Sequence, residues 1–136
     1  MQLTPYLAFP GTCAEAFDFY AELFGGEVGL RQFVRDSPMA ADVPPDKQDY
    51  VLHSHVSIGA QVLMGSDNTL GGETAVSGVY LQVTIDDLDK ARRIFGRLAK
   101  NGMIVHAFAA TFWAAGFGIC RDRYGVLWII SCEAPA

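Results

Sequence analysis

The chain has 136 residues, 51% hydrophobic and 18% charged, with a formal net charge of −5. Such a length supports one well-buried domain over residues 1–136 rather than two ordinary ones, and no apolar run reaches the roughly 18 residues of a membrane span. The acidic balance, with basic residues concentrated only at Lys90 to Arg93 and Arg97, argues against nucleic acid and membrane and leaves small molecules as the expected partners.

The first strand is predicted over residues 3–9. Thr12-Cys13-Ala14-Glu15 then has the form of a capping box, in which the Thr hydroxyl and the Glu carboxylate satisfy backbone donors at a helix start. Ala16, Phe19, Tyr20 and Leu23 follow at helical spacing until Gly25-Gly26 stops the helix. Residues 27–35 alternate as a strand. Residues 36–48 hold three prolines and no periodicity, which predicts a mobile loop or lid. Residues 50–58 and 61–64 read as a hairpin around Gly59-Ala60, and Gly71-Gly72 marks a linker.

The second half repeats this layout. A strand over 79–84 precedes a cap at Asp86 or Asp87, and Ala91, Ile94, Phe95 and Leu98 form an apolar stripe ended by Asn101-Gly102. Strands over 104–109, 113–120 and 126–132 complete it, the last two joined by the turn Arg121-Asp122-Arg123-Tyr124-Gly125. The chain is therefore an α+β sequence that writes a βαβββ unit twice, repeat 1 over 1–70 and repeat 2 over 77–135. Two such units set edge to edge predict a cupped, barrel-like mixed sheet with helices outside and a cavity inside.

The glycine- and aromatic-rich stretch from Thr111 to Ile130, the opening Pro5-Tyr6-Leu7-Ala8-Phe9 and the helix Glu15-Ala16-Phe17-Asp18-Phe19-Tyr20 carry a resemblance over nearly the whole chain. Together they resemble the PhnB-like branch of the glyoxalase, bleomycin-resistance and extradiol-dioxygenase (vicinal oxygen chelate) superfamily. The resemblance implies the same double βαβββ fold and a homodimer. It also implies four metal-ligand slots in the metal-dependent members, which here fall on Pro5, Met64, Tyr80 and Ile129. Proline, thioether, phenol and alkyl groups do not suit a cation that wants imidazole and carboxylate, so no metal and no other cofactor is expected.

His53 and His55 lie two apart and share a strand face, and a turn at Gly59-Ala60 pairs His55 with Met64, which puts all three on the presumed cup side. His106 is the remaining histidine, with its facing open. Tyr80 and Gln82 share a face in the second half, and Trp113 belongs to an aromatic cluster with Phe112 and Phe117 of the kind that lines small-molecule cavities. The expected ligand-binding residues are thus His53, His55, Met64, Tyr80, Gln82 and Trp113. Trp128 should point to the helix side and pack there, while Asp122 suits a turn with a surface ion pair to Arg121. Cys13 sits in a helical first turn where the dipole can lower a thiol pKa, yet no base neighbours it in sequence, and a structural role is expected. Cys13, Cys120 and Cys132 have no paired or CxxC spacing, which opposes a disulfide framework or zinc knuckle. With no secretory signal in the opening residues, this suits a cytoplasmic location.

Function divides three ways. A metal-independent binding protein for a small organic molecule is the leading expectation, with a metal-dependent lyase, isomerase or dioxygenase as the alternative. The family's frequent label of demethylubiquinone methyltransferase is disfavoured, because Gly25-Gly26 ends a helix where a nucleoside-binding loop would begin one.

Overall fold

The computed structural model describes residues 1–69, 74–75 and 77–134, so the expected Gly71-Gly72 linker lies outside the described residues. The chain divides into two units, Met1–Thr74 and Ala75–Ala136. In the first, β1 (Tyr6–Phe9), α1 (Cys13–Phe24), β2 (Glu27–Phe33), β3 (Val51–Ile58) and β4 (Gln61–Asp67) build a four-stranded sheet in the order β1-β4-β3-β2. β1 runs parallel to β4, and the other neighbours are antiparallel. In the second, β5 (Leu81–Thr84), α2 (Leu88–Ala99), β6 (Met103–Ala109), β7 (Ala114–Arg121) and β8 (Leu127–Glu133) repeat that topology in the order β5-β8-β7-β6. Each unit is thus a βαβββ module with a mixed sheet and one helix packed on one face.

Helix α1 buries Cys13, Ala16, Phe17, Tyr20, Ala21 and Leu23. The stripe is rotated from the expected one: Phe17 is buried and Phe19 only half-buried. Gly65 on β4 explains the rotation, since a Cβ there would meet the Phe17 ring at 2.7 Å. The bare backbone makes room for Phe17, which also packs edge-on to Phe9 at 5.8 Å. Full burial of one such aromatic stabilises by about 1.5–3 kcal/mol.

The capping box does not form. Thr12 makes no side-chain cap bond, and its hydroxyl is buried without a partner. A residue distant in sequence does the work instead: Asp67 Oδ1 accepts the backbone N–H groups of Gly11 at 3.1 Å and Cys13 at 2.9 Å, while its Oδ2 accepts that of Val51 at 2.7 Å. One buried carboxylate therefore ties the start of α1 to the start of β3 from the end of β4. Helix α2 behaves as its sequence says. Asp87 Oδ1 accepts the N–H of Lys90 at 2.9 Å, and Ala91, Ile94, Phe95 and Leu98 are buried.

The helix exits share one feature at different offsets: α1 stops directly at Gly25, whereas α2 passes through the extended Lys100 before Asn101. Gly25 (φ 69°) and Asn101 (φ 61°) take the left-handed conformation that turns the chain back. The next residue in each case, Gly26 or Gly102, lies so close to the neighbouring strand that a Cβ would collide with the carbonyl oxygen of Ser57 or Arg121. The Gly-Gly and Asn-Gly pairs thus mark one structural feature used twice.

The segment expected to be a mobile loop or lid, residues 36–48, is organised around three short 3-10 turns, at Val34–Asp36, Pro38–Asp42 and Pro45–Lys47. The Gln48 amide donates to the carbonyls of Ala40 at 2.9 Å and Val43 at 2.8 Å, and Arg35 N–H donates to the Gln48 carbonyl at 2.9 Å. Prolines with no helical or strand periodicity here favour tight turns closed by one side-chain amide. Two buried side chains brace the turn before β8. Trp128 is 2% exposed on the helix side, and its indole N–H donates to Asp122 Oδ2 at 2.9 Å. Asp122 Oδ1 accepts the N–H groups of Tyr124 and Val126, so this carboxylate is an internal anchor rather than a surface group.

Candidate functional site

Strand parity sorts the side chains onto two faces of each sheet. In the first unit Phe9, Val56 and Gly65 face α1, so Tyr6, Ala8, His53, His55 and Met64 take the opposite face. His55 stands directly across the antiparallel pair from Met64, and Met64 across the parallel pair from Tyr6. His53, His55 and Met64 are therefore brought together as the alternation predicts.

Tyr6 is the member that sequence reading missed. Its hydroxyl lies 3.1 Å from His53 Nδ1, and the two rings stack at 5.7 Å. The signal was available: Phe9 is the apolar anchor of β1, and counting back by twos from Ala8 turns Tyr6 away from the helix. His55 leans the other way, over Gly29 of β2, where a Cβ would collide with its Nε2. The two imidazoles of the His-x-His pair thus point into different surroundings.

In the second unit Gly116 and Gly118 face α2, so Phe117 and Ile119 of β7 share the opposite face with Ile129, Ser131 and Glu133 of β8. Gln82 lies opposite Ile129, and Thr84 opposite Ser131, on the same face. A cleft of about 390 Å³ opens there, lined among others by Gln82, Thr84, Trp113, Phe117, Ser131 and Glu133. That volume lies within the roughly 300–1,000 Å³ typical of small-molecule sites.

The cleft has an aromatic wall and a polar floor. Trp113 meets Phe117 edge-on at 5.3 Å and Phe112 at 4.7 Å. The Ser131 hydroxyl stands 3.5 Å from the Gln82 amide nitrogen and 3.4 Å from Thr84 Oγ1. Contacts of that length are weak and leave these groups free to turn toward a ligand. His106 packs edge-on to Phe117 at 5.6 Å, which settles its facing, and its Nδ1 lies 2.9 Å from the Ala107 carbonyl oxygen.

Of the expected second-unit residues, Gln82 and Trp113 line the cleft and Tyr80 does not. Strand β5 begins two residues later than expected, at Leu81, and Tyr80 is 41% exposed ahead of it. Strand alternation does not extend to it. Thr84, Ser131 and Glu133 went unnoticed in the sequence, although they share the parity of Gln82 and Ile129.

The metal slots resolve into neighbours within each unit. The Met64 N–H donates to the Pro5 carbonyl at 3.0 Å, so Pro5 heads an edge strand where its missing N–H costs nothing. Ile129 lies beside Gln82. Pyrrolidine, thioether, phenol and alkyl side chains do not make a donor set for a divalent cation, so the residues present do not fit the superfamily's metal. Among the described residues, no three His, Cys, Asp or Glu side chains come together as a ligand group.

The cysteines are free and buried. Burial pushes the Cys13 thiol up to about 12, with the Asp67 carboxylate adding to the rise and Arg31 opposing it. Burial, then Asp122, raises Cys120 to about 11. Thiols so protonated at neutral pH are not nucleophiles.

Comparison with known proteins follows the same lines. Residues 1–131 match the family described as 3-demethylubiquinone-9 3-methyltransferase. Protein YjdN of Escherichia coli strain K12 is 32% identical over 139 residues, covering 96% of this chain and 95% of that one. The crystal structure of protein PA1353 from Pseudomonas aeruginosa superposes with a TM-score of 0.88 at 36% identity, covering 98% of each chain. The PhnB protein from Bacillus cereus gives 0.84 at 26% identity over 98% of this chain and 100% of that one. A glyoxylase/bleomycin resistance protein/dioxygenase domain from Frankia, at 12% identity and a TM-score of 0.64 over 98% of each chain, shares the fold. The duplicated βαβββ topology and these likenesses agree: the chain shares the fold of the glyoxylase/bleomycin resistance protein/dioxygenase domain, and it belongs to the PhnB-like family described as 3-demethylubiquinone-9 3-methyltransferase.

Proposed function

We propose that this protein binds a small organic molecule without a metal, through the faces that carry His53, His55 and Met64 in the first unit and Gln82 and Trp113 in the second, with Tyr80 outside the cleft. The observation that carries this reading is the second unit's cleft, whose Trp113 and Phe117 wall and Gln82, Thr84 and Ser131 floor offer apolar area with a few convergent polar groups. Methyl transfer is not part of the reading. At the α1 start, where a cofactor anion would seek free N–H groups, Asp67 already holds those of Gly11 and Cys13. At the α2 start Asp86, Asp87 and Asp89 repel anions.

The reading includes a homodimer and a cytoplasmic location. Strand β6 supports the first: it is a sheet edge whose Met103, Ile104 and Val105 are exposed, a liability that association covers. Three free buried thiols support the second. No helix among the described residues is long and apolar enough to cross a membrane.

The test pairs elemental analysis with a thermal-shift screen of metabolites and antibiotics on wild type, Tyr80→Phe, His53→Ala and Trp113→Leu. Substoichiometric metal is expected, with hits whose shift shrinks in Trp113→Leu. About one metal per chain, lost in His53→Ala, would overturn the metal-independent reading. Equal shifts in all variants would move the site elsewhere.

A further inference from the structure

Among the described residues, the one acidic or basic side chain lining the second unit's cleft is negative. Glu133 closes β8 on the same face as Ser131 and stands opposite Ala114 in register, next to Trp113. No ion pair to its carboxylate occurs among the described residues. The unit's cations lie elsewhere. Lys90, Arg92, Arg93 and Arg97 are on α2, Lys100 follows it, and Arg121 and Arg123 flank the turn before β8; none lines the cleft. Arg92 lies over Phe108 at 5.6 Å, on the helix side, and Arg121 donates to the Gly125 carbonyl at 2.9 Å.

The same cleft is lined by the half-exposed Trp113 ring, which carries the negative quadrupole face that attracts cations best among side chains. The floor adds the Thr84 and Ser131 hydroxyls and the Gln82 amide, neutral groups that accept as well as donate. Carboxylate and indole face favour a positive group, the neutral floor groups favour neither sign, and no Lys or Arg among the lining residues serves a phosphate, phosphonate or carboxylate ligand. A compact ammonium on an aromatic or apolar body matches this set: the charge beside Glu133 and Trp113, the body along Phe117.

We propose that the cleft selects organic cations, amines or quaternary ammonium compounds with an apolar body, over neutral and anionic analogues of the same size. This rests on the small-molecule reading of the same cleft. The test measures binding of benzyltrimethylammonium, benzyl alcohol and phenylphosphonate to the intact protein, by calorimetry and by Trp113 emission, with Trp113→Leu as the spectroscopic control. Benzyltrimethylammonium should bind at least about fivefold more tightly than benzyl alcohol, the factor expected of a half-exposed cation–π and ion-pair contact, and phenylphosphonate most weakly. Glu133→Gln, isosteric and at an exposed position, should weaken the cation about fivefold and leave benzyl alcohol unchanged. Raising salt should weaken the cation alone. Equal binding of cation and alcohol, a preference for phenylphosphonate, or a cation preference that survives Glu133→Gln would overturn the charge selectivity and leave the small-molecule reading standing. Failure of all three probes to bind at millimolar concentration would overturn both.

Discussion

Asp67 concentrates more structural consequence than any other side chain of the first unit. It is 3% exposed and holds three backbone N–H groups from two separate segments. Asp67→Ala strands all three, and the expected cost is about 3 kcal/mol or more in urea unfolding. Thr12→Ala is expected to cost less than about 0.5 kcal/mol, against roughly 1 kcal/mol for a working cap, because the Thr hydroxyl makes no bond. A larger loss at Thr12 than at Asp67 would refute this division of labour. Cys13 supplies a pH test. The folded thiol keeps its proton to about 12, whereas an unperturbed one loses it near 9.0. Between those values the unfolded state ionises and the folded state does not, so stability is flat below 9.0 and falls as pH climbs toward 12. Cys13→Ala should flatten part of that fall, and native protein should react with a thiol reagent at pH 8 far more slowly than unfolded protein.

At the level of elements, the helix exits are the positions least able to change. Gly102→Ala drives a methyl into the Arg121 carbonyl, a backbone atom held in β7, and the expected loss is about 2 kcal/mol by thermal or denaturant unfolding. Gly96→Ala is the control, since a Cβ at this α2 position meets nothing within 4 Å; it should stabilise by some tenths of a kcal/mol up to about 1 kcal/mol. Similar losses at both positions would show that helix propensity rather than close approach governs them. The helices also differ in how far they could be read. Helix α2 has a clear apolar stripe and its own Asp87 cap, so its buried face was legible. Helix α1 is apolar over more of its circumference, and Gly65, distant in sequence on β4, decides that Phe17 rather than Phe19 goes inside. Residues 34–50 illustrate the opposite limit. Their turns depend on one amide, that of Gln48, reaching back to Ala40 and Val43, which no periodicity announces.

For the whole molecule, the proposed homodimer predicts a dimer mass in sedimentation at micromolar concentration, and Ile104→Lys on the exposed β6 edge should shift it toward monomer. A monomer in the wild type would count against it. The sequence by itself determined the duplicated βαβββ order, the hairpin that sets His55 against Met64, the inward Trp128 and the family. Each of these follows from local periodicity or from spacing along one chain segment. Tertiary structure alone decided which carboxylate caps α1, where β5 begins and hence that Tyr80 stands outside the cleft, and that Tyr6 joins His53. It also brought Thr84, Ser131 and Glu133 beside Trp113. These contacts join strands adjacent in space and distant in sequence, and their register is fixed by packing of the buried faces rather than by any residue's own preference.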